Sequence, residues 1–155
     1  MTMEEQAVAL LKERGLTAAA AESCTGGLVA KRLTDIPGAS AVFSGGVVAY
    51  TNGVKERVLG VPHETLARYS AVSEETARAM AQGVMRLTGA DMGLAVTGAA
   101  GPDRDDAGHE VGTVYIALAH AQETTVELLH LSGDRPAIRT QAADALLALL
   151  TAHIK

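Results

Sequence analysis

Cysteine and aromatic rings are what this 155-residue chain has least of: it carries one cysteine, no tryptophan, one phenylalanine and three tyrosines. A lone Cys24 excludes an internal disulfide and leaves no CxxC pair for zinc, which agrees with a reducing, cytoplasmic setting. With so few rings, the core has to be built from Ala, Val, Leu and Ile, side chains small enough to let helices lie tightly on a sheet. Basic runs are missing too: no five consecutive Lys or Arg occur and the net charge is −5, so neither a nucleic acid nor a membrane surface is expected as partner. Isolated cations remain available to hold one phosphate. His63, His109, His120, His130 and His153 have no ligand spacing such as HExxH, and no metal is expected. No apolar stretch approaches a membrane span, and Met1-Thr2-Met3-Glu4-Glu5 does not begin a signal peptide, so a soluble cytoplasmic protein is expected.

What is present alternates between two periods. Ala7, Val8, Leu10 and Leu11 mark one face of a helix from about Met3 to Arg14, with Gly15 as its stop. Leu16 to Glu22 is a nearly unbroken run of small apolar residues, the pattern of a strand covered on both faces, and it enters Ser23-Cys24-Thr25-Gly26-Gly27 before a helix through Leu33. A strand is expected at Val47 to Tyr50, short helices at Val54 to Leu59 and His63 to Arg68, and a longer helix from Ser73 to Gly89 with Glu74 and Glu75 in its first turn. Asp91 to Val96 reads as a strand, Asp103 to His109 as a polar loop, and Val114 to Leu118 with Thr125 to Leu131 as an antiparallel pair. Ser132-Gly133-Asp134 and Pro136 start the last helix, whose apolar stripe runs from Ile138 to Leu149. This alternation predicts one three-layer α/β/α domain over residues 1–155 with a mixed, mostly buried sheet.

Chemistry concentrates at three places. Thr51-Asn52-Gly53 ends the Val47 to Tyr50 run, so Tyr50 and Lys55 flank one strand-to-helix corner, and Ser40 lies in the loop after Pro37-Gly38. A serine hydroxyl attacks only when a base takes its proton, a lysine kept neutral by burial is such a base, and Tyr50 could orient the proton between them. Taken alone, the three also read as a loop serine, a strand tyrosine and a surface lysine. Ser23 to Gly27 offers free N–H groups at a helix start, open either to a phosphate or to capping by Ser23 or Thr25. No Gly-Lys-Ser/Thr follows and no GxGxxG occurs, so it is neither a Walker nor a dinucleotide loop. Cys24 is the alternative nucleophile, a thiol near a helix start, although a packed small hydrophobe fits it as well. Thr97-Gly98-Ala99-Ala100-Gly101 is a second small-residue turn that would frame a nucleotide crevice with the first. Arg135 at a helix start opposes the dipole, which points to a use such as pairing a ligand phosphate.

Glu22-Ser23-Cys24-Thr25-Gly26-Gly27, Gly38 to Lys55, Ala71-Val72-Ser73, Thr97 to Pro102, Val111-Gly112-Thr113-Val114 and Gly133-Asp134-Arg135, in this order and spacing, resemble the CinA C-terminal domain family. Its enzymatic members are nicotinamide-nucleotide amidohydrolases, or NMN deamidases. The resemblance implies hydrolysis of the carboxamide of nicotinamide mononucleotide (NMN) to nicotinic acid mononucleotide and ammonia, in pyridine nucleotide salvage, without metal or organic cofactor. It points at Ser40 as nucleophile with Tyr50 and Lys55 as activating partners. It adds Arg135 as a further site residue, and with the two small-residue turns the expected substrate contacts are Ser23, Thr25, Gly26, Gly27, Phe43, Thr97, Gly98, Gly101 and Arg135; family members suggest a homo-oligomer, dimer or larger. The rival expectation is a non-catalytic nucleotide-binding or interaction module of the same fold.

Overall fold

The computed structural model describes all 155 residues. Five strands form one sheet: β1 (Ala18–Glu22), β2 (Phe43–Val48), β3 (Met92–Gly98), β4 (Thr113–His120) and β5 (Glu123–His130), in the order β2-β1-β3-β4-β5. β1 runs parallel to β2 and to β3, whereas β3/β4 and β4/β5 are antiparallel, so the sheet is mixed. Helices α1 (Met3–Arg14), α2 (Leu28–Thr34) and α6 (Arg135–Ile154) cover one face. The other carries α5 (Glu74–Thr88), with α3 (Asn52–Arg57) and α4 (His63–Tyr69) beside it. This is the three-layer domain that the sequence predicts.

Strand alternation divides the core into two chemically different halves. Toward α1, α2 and α6 the sheet presents Met92, Leu94, Val96, Val114, Ile116 and Leu118. Toward α5 it presents Ala19, Ala21, Ala95, Ala117 and Ala119. Small residues on this second face let α5 come close, and a Cβ on Gly93 would collide with the Ala81 carbonyl of α5. The shortage of aromatic rings is thus matched by a thin alanine layer rather than by a void.

Local signals set most element ends. Thr2 and Glu5 form a capping box on α1, which closes at Gly15 in the left-handed region; on α5 Ser73 alone caps, accepting from the Thr76 N–H, and Gly89 closes the helix in the left-handed region. Asp134 caps α6, with Pro136 in the first turn. The expectation for β2 is corrected: the strand is Phe43–Val48, and Tyr50 lies beyond its end. Phe43-Ser44-Gly45-Gly46 has little strand character of its own, and its extension is imposed by pairing with β1, Ala18 opposite Phe43 and Glu22 opposite Val48. β1 and β3 point the same way and their neighbours leave on opposite sides, so the carboxyl ends of these strands open the crevice in which α/β sheets bind ligands.

Candidate active site

That crevice is a cavity of about 800 Å³ whose walls include Ser23 and Cys24 after β1, Tyr50 and Lys55 after β2, and Thr97 to Gly101 at the end of β3. Arg135, from the start of α6, and Asp103, Asp105 and Asp106 of the loop after β3 complete its rim.

Lys55 decides its chemistry. This side chain is only 1% exposed and is the largest fully buried one in the chain. Thr51 caps α3, its hydroxyl accepting from the Val54 N–H, and the first turn of that helix delivers Lys55 inward. Its Nζ donates to the Ala49 carbonyl at 2.9 Å and meets Ser23 Oγ at 3.0 Å. No carboxylate pairs with it, and burial lowers its pKa from 10.5 to about 8, against a small opposing effect of Cys24. A substantial neutral fraction therefore exists just above neutral pH, with its lone pair beside a serine hydroxyl. A hydroxyl in contact with a neutral amine is an arrangement that can act as nucleophile and base.

Cys24 is next to it in sequence and opposite in character. Burial raises the thiol to about 12, so it stays protonated and unreactive at neutral pH, and its side chain belongs to the hydrophobic core.

The sequence reading put Ser40, not Ser23, in contact with Lys55, and here the structure differs. Ser40 sits exposed in a single 3-10 turn, Ala39–Ala41, before β2, whereas Tyr50 and Lys55 follow that strand. Six residues of extended chain intervene, about 20 Å, so Ser40 lies at the opposite end of the sheet. Tyr50 does line the cavity, but it is 57% exposed and its Oη accepts from Arg135 Nη2 at 2.8 Å instead of bridging serine and lysine. Phe43 packs into the core between sheet and helices and touches no part of the cavity.

The glycine-rich turn is not an open anion site either. The Glu22 carboxylate, 1% exposed, accepts from the Val29 and Ala30 N–H groups of α2, both at 2.9 Å, and from the Thr25 hydroxyl at 2.6 Å. The donors expected to hold a phosphate are already taken by the chain's own carboxylate. Thr25, Gly26 and Gly27 accordingly stay outside the cavity wall. Thr97, Gly98 and Gly101 are in it, the Thr97 hydroxyl being tied to the Ala71 carbonyl at 2.8 Å. Arg135 is there too, donating through Nη1 to the Gly101 carbonyl at 2.6 Å. Two of its five N–H donors are thus engaged, which leaves three for a ligand.

A model described as the CinA C-terminal domain matches residues 1–154. The chain belongs to that family. A CinA-like protein of Geobacter sulfurreducens is 51% identical over 142 residues, covering 92% of this chain and 34% of its own length. The chain spans about a third of the length of the curated relatives it matches. Among solved structures, the competence or damage-inducible protein from Enterobacter asburiae superposes with a TM-score of 0.96 at 34% identity, over 99% of this chain and 96% of that one. Competence/damage inducible protein CihA from Agrobacterium tumefaciens gives 0.93 at 38% identity, over 99% and 96%. This CinA C-terminal domain thus keeps its family's fold throughout and holds a serine, a buried lysine and an arginine around one cavity.

Proposed function

We propose that residues 1–155 form a serine amidohydrolase domain that deamidates nicotinamide mononucleotide, with Ser23 as nucleophile and Lys55 as general base. The observation that carries this reading is the Ser23–Lys55 contact in the cavity, made by a lysine that has lost water and gained no carboxylate. A buried cation without a counter-ion costs stability, and such a cost is retained where it supplies a reactive neutral amine. Neutral Lys55 takes the Ser23 proton as Oγ bonds to the carboxamide carbon, and the C=O electrons move onto oxygen. The oxyanion collapses, the C–N bond breaks, and Lys55 returns the proton to the leaving nitrogen, which departs as ammonia. Water then adds to the ester, losing a proton to Lys55, and the acid leaves as Ser23 regains its hydrogen.

The choice of a pyridine mononucleotide rests on family membership together with Arg135. The guanidinium at the rim suits a phosphate held away from the reacting bond, where binding energy positions the amide. The test is ammonia release by the purified chain from NMN, nicotinamide riboside and NAD, with NMN expected to be hydrolysed fastest. Binding of NMN with no ammonia released at any pH from 7 to 9 would leave a binding module in place of an enzyme.

A further inference from the structure

Arg135 and Arg139 lie one turn apart on α6 and therefore on the same side of the helix, yet only Arg135 reaches the cavity. Half-buried Arg139 instead turns its planar fork on the backbone of the nucleophile turn: Nε donates to the Cys24 carbonyl at 3.1 Å and Nη2 to the Thr25 carbonyl at 2.9 Å. From the other side, Glu22 holds the Thr25 hydroxyl and the first amides of α2. Two carbonyls of the turn, Cys24 and Thr25, thus face a cation, while the Thr25 hydroxyl and two amides of α2 face an anion, and neither charged side chain lines the cavity. Gly26 makes room for this: a Cβ there would stand 3.0 Å from Arg139 Nη2, and its φ of 59° lies in the left-handed region.

We infer that Arg139 and Glu22 are positioning residues that clamp the Ser23–Gly27 turn from opposite sides and so fix the direction of the Ser23 hydroxyl toward Lys55. The inference rests on Ser23 being the nucleophile. Ser23 itself is anchored only through its backbone, its N–H donating to the Val96 carbonyl at 3.0 Å, and through the Lys55 contact. Backbone bonds close the turn on itself and on α2, Gly26 N–H to the Ser23 carbonyl and Leu28 N–H to the Thr25 carbonyl, both at 3.1 Å, and the clamp supplies its side-chain contacts. A flat fork that meets two adjacent carbonyls cannot be replaced by the single point charge of lysine.

The test separates positioning from ligand binding and from folding. Wild type, Arg139→Lys, Glu22→Gln and Gly26→Ala are treated with phenylmethylsulfonyl fluoride, and modification of Ser23 is timed by intact and peptide mass. NMN affinity is titrated in a Ser23→Ala background, and thermal melting follows each variant. Arg139→Lys is expected to melt near wild type and to bind NMN with unchanged affinity, but to be sulfonylated and to turn over NMN about a hundredfold more slowly, as a misdirected reacting atom requires. Gly26→Ala, which pushes on the same guanidinium, should move in the same direction. Should Glu22→Gln melt early, it is compared at a temperature where it is folded. Loss of NMN affinity with an unchanged sulfonylation rate would make Arg139 a ligand contact and overturn the clamp. Wild type sulfonylated at Ser23 but inactive on NMN would remove the substrate while the labelling rates still judge the clamp. Wild type active on NMN but never modified at Ser23 would keep the deamidase and overturn the clamp.

Discussion

Ser23 and Ser40 are two serines near glycines in strand-to-helix or turn-to-strand connections, and their surroundings are opposite. Ser23 is 8% exposed at the carboxyl end of β1, in the cavity, with a desolvated lysine against its oxygen. Ser40 is exposed at the amino end of β2, with no side-chain hydrogen bond and outside that cavity. A hydroxyl in water meets only solvent bases, whereas a hydroxyl beside a buried amine meets one whose pKa the protein has lowered. On the proposed reading reactivity follows the lysine, and in this fold the lysine lies past the far end of β2 from Ser40. The lesson extends to Cys24, where the same burial that lowers Lys55 raises the thiol and silences it.

The contrast can be broken most severely at the nucleophile. Ser23→Ala should abolish ammonia release from NMN, a loss on the order of 10⁴-fold or more for removal of an attacking group, while circular dichroism and NMN binding stay near wild type. Lys55→Arg comes next: a guanidinium stays protonated at any working pH, so turnover should fall by about 10² to 10⁴-fold, the range of a lost general base. In the wild type the same base gives the pH profile its sign. Lys55 is charged and inactive below its pKa, so kcat should rise about tenfold per unit as pH increases from 6 and level off above about 8. A profile flat from 6 to 9 would remove Lys55 from the base role.

Smaller effects sharpen the picture. Arg135→Ala should weaken NMN by about ten- to a hundredfold, as for a charged hydrogen bond to phosphate, and nicotinamide riboside much less, when both are titrated calorimetrically. Equal weakening of the two would assign Arg135 to ordering Tyr50 and Gly101, its present partners. At the small end, Cys24→Ala should keep most activity and Ser40→Ala all of it, measured by the same ammonia assay.

How far each of these regions was legible from sequence follows from how local its signals are. Capped helices such as α1, α5 and α6 carry boundaries in adjacent residues, Gly15 for α1, Ser73 with Gly89 for α5, Asp134 with Pro136 for α6, and could be read directly. β2 could not, because Phe43-Ser44-Gly45-Gly46 is extended by its neighbour β1 and not by its own propensity. At the site, Tyr50, Lys55, Thr97, Gly98, Gly101 and Arg135 could be singled out by residue type at strand and helix ends, and they share the cavity. The serine could not be chosen that way. Ser23 is 32 residues from Lys55, and in sequence it resembles a helix cap, whereas Ser40 resembles a presented hydroxyl. The one available signal was Glu22: an acidic residue closing a fully buried strand needs a partner, and α2 supplies it, which removes the turn from phosphate binding and leaves Ser23 free for chemistry. Asp103, Asp105 and Asp106 read only as a polar loop in the sequence, since the fold alone brings that loop to the cavity.

The most direct test of the central claim is to trap the acyl-enzyme. Purified chain is mixed with NMN, quenched in acid within the first turnover, and digested for peptide mass spectrometry. The account predicts a nicotinoyl-mononucleotide ester on Ser23, present in the wild type and absent from Ser23→Ala. An ester on Ser40, or a thioester on Cys24, would contradict it.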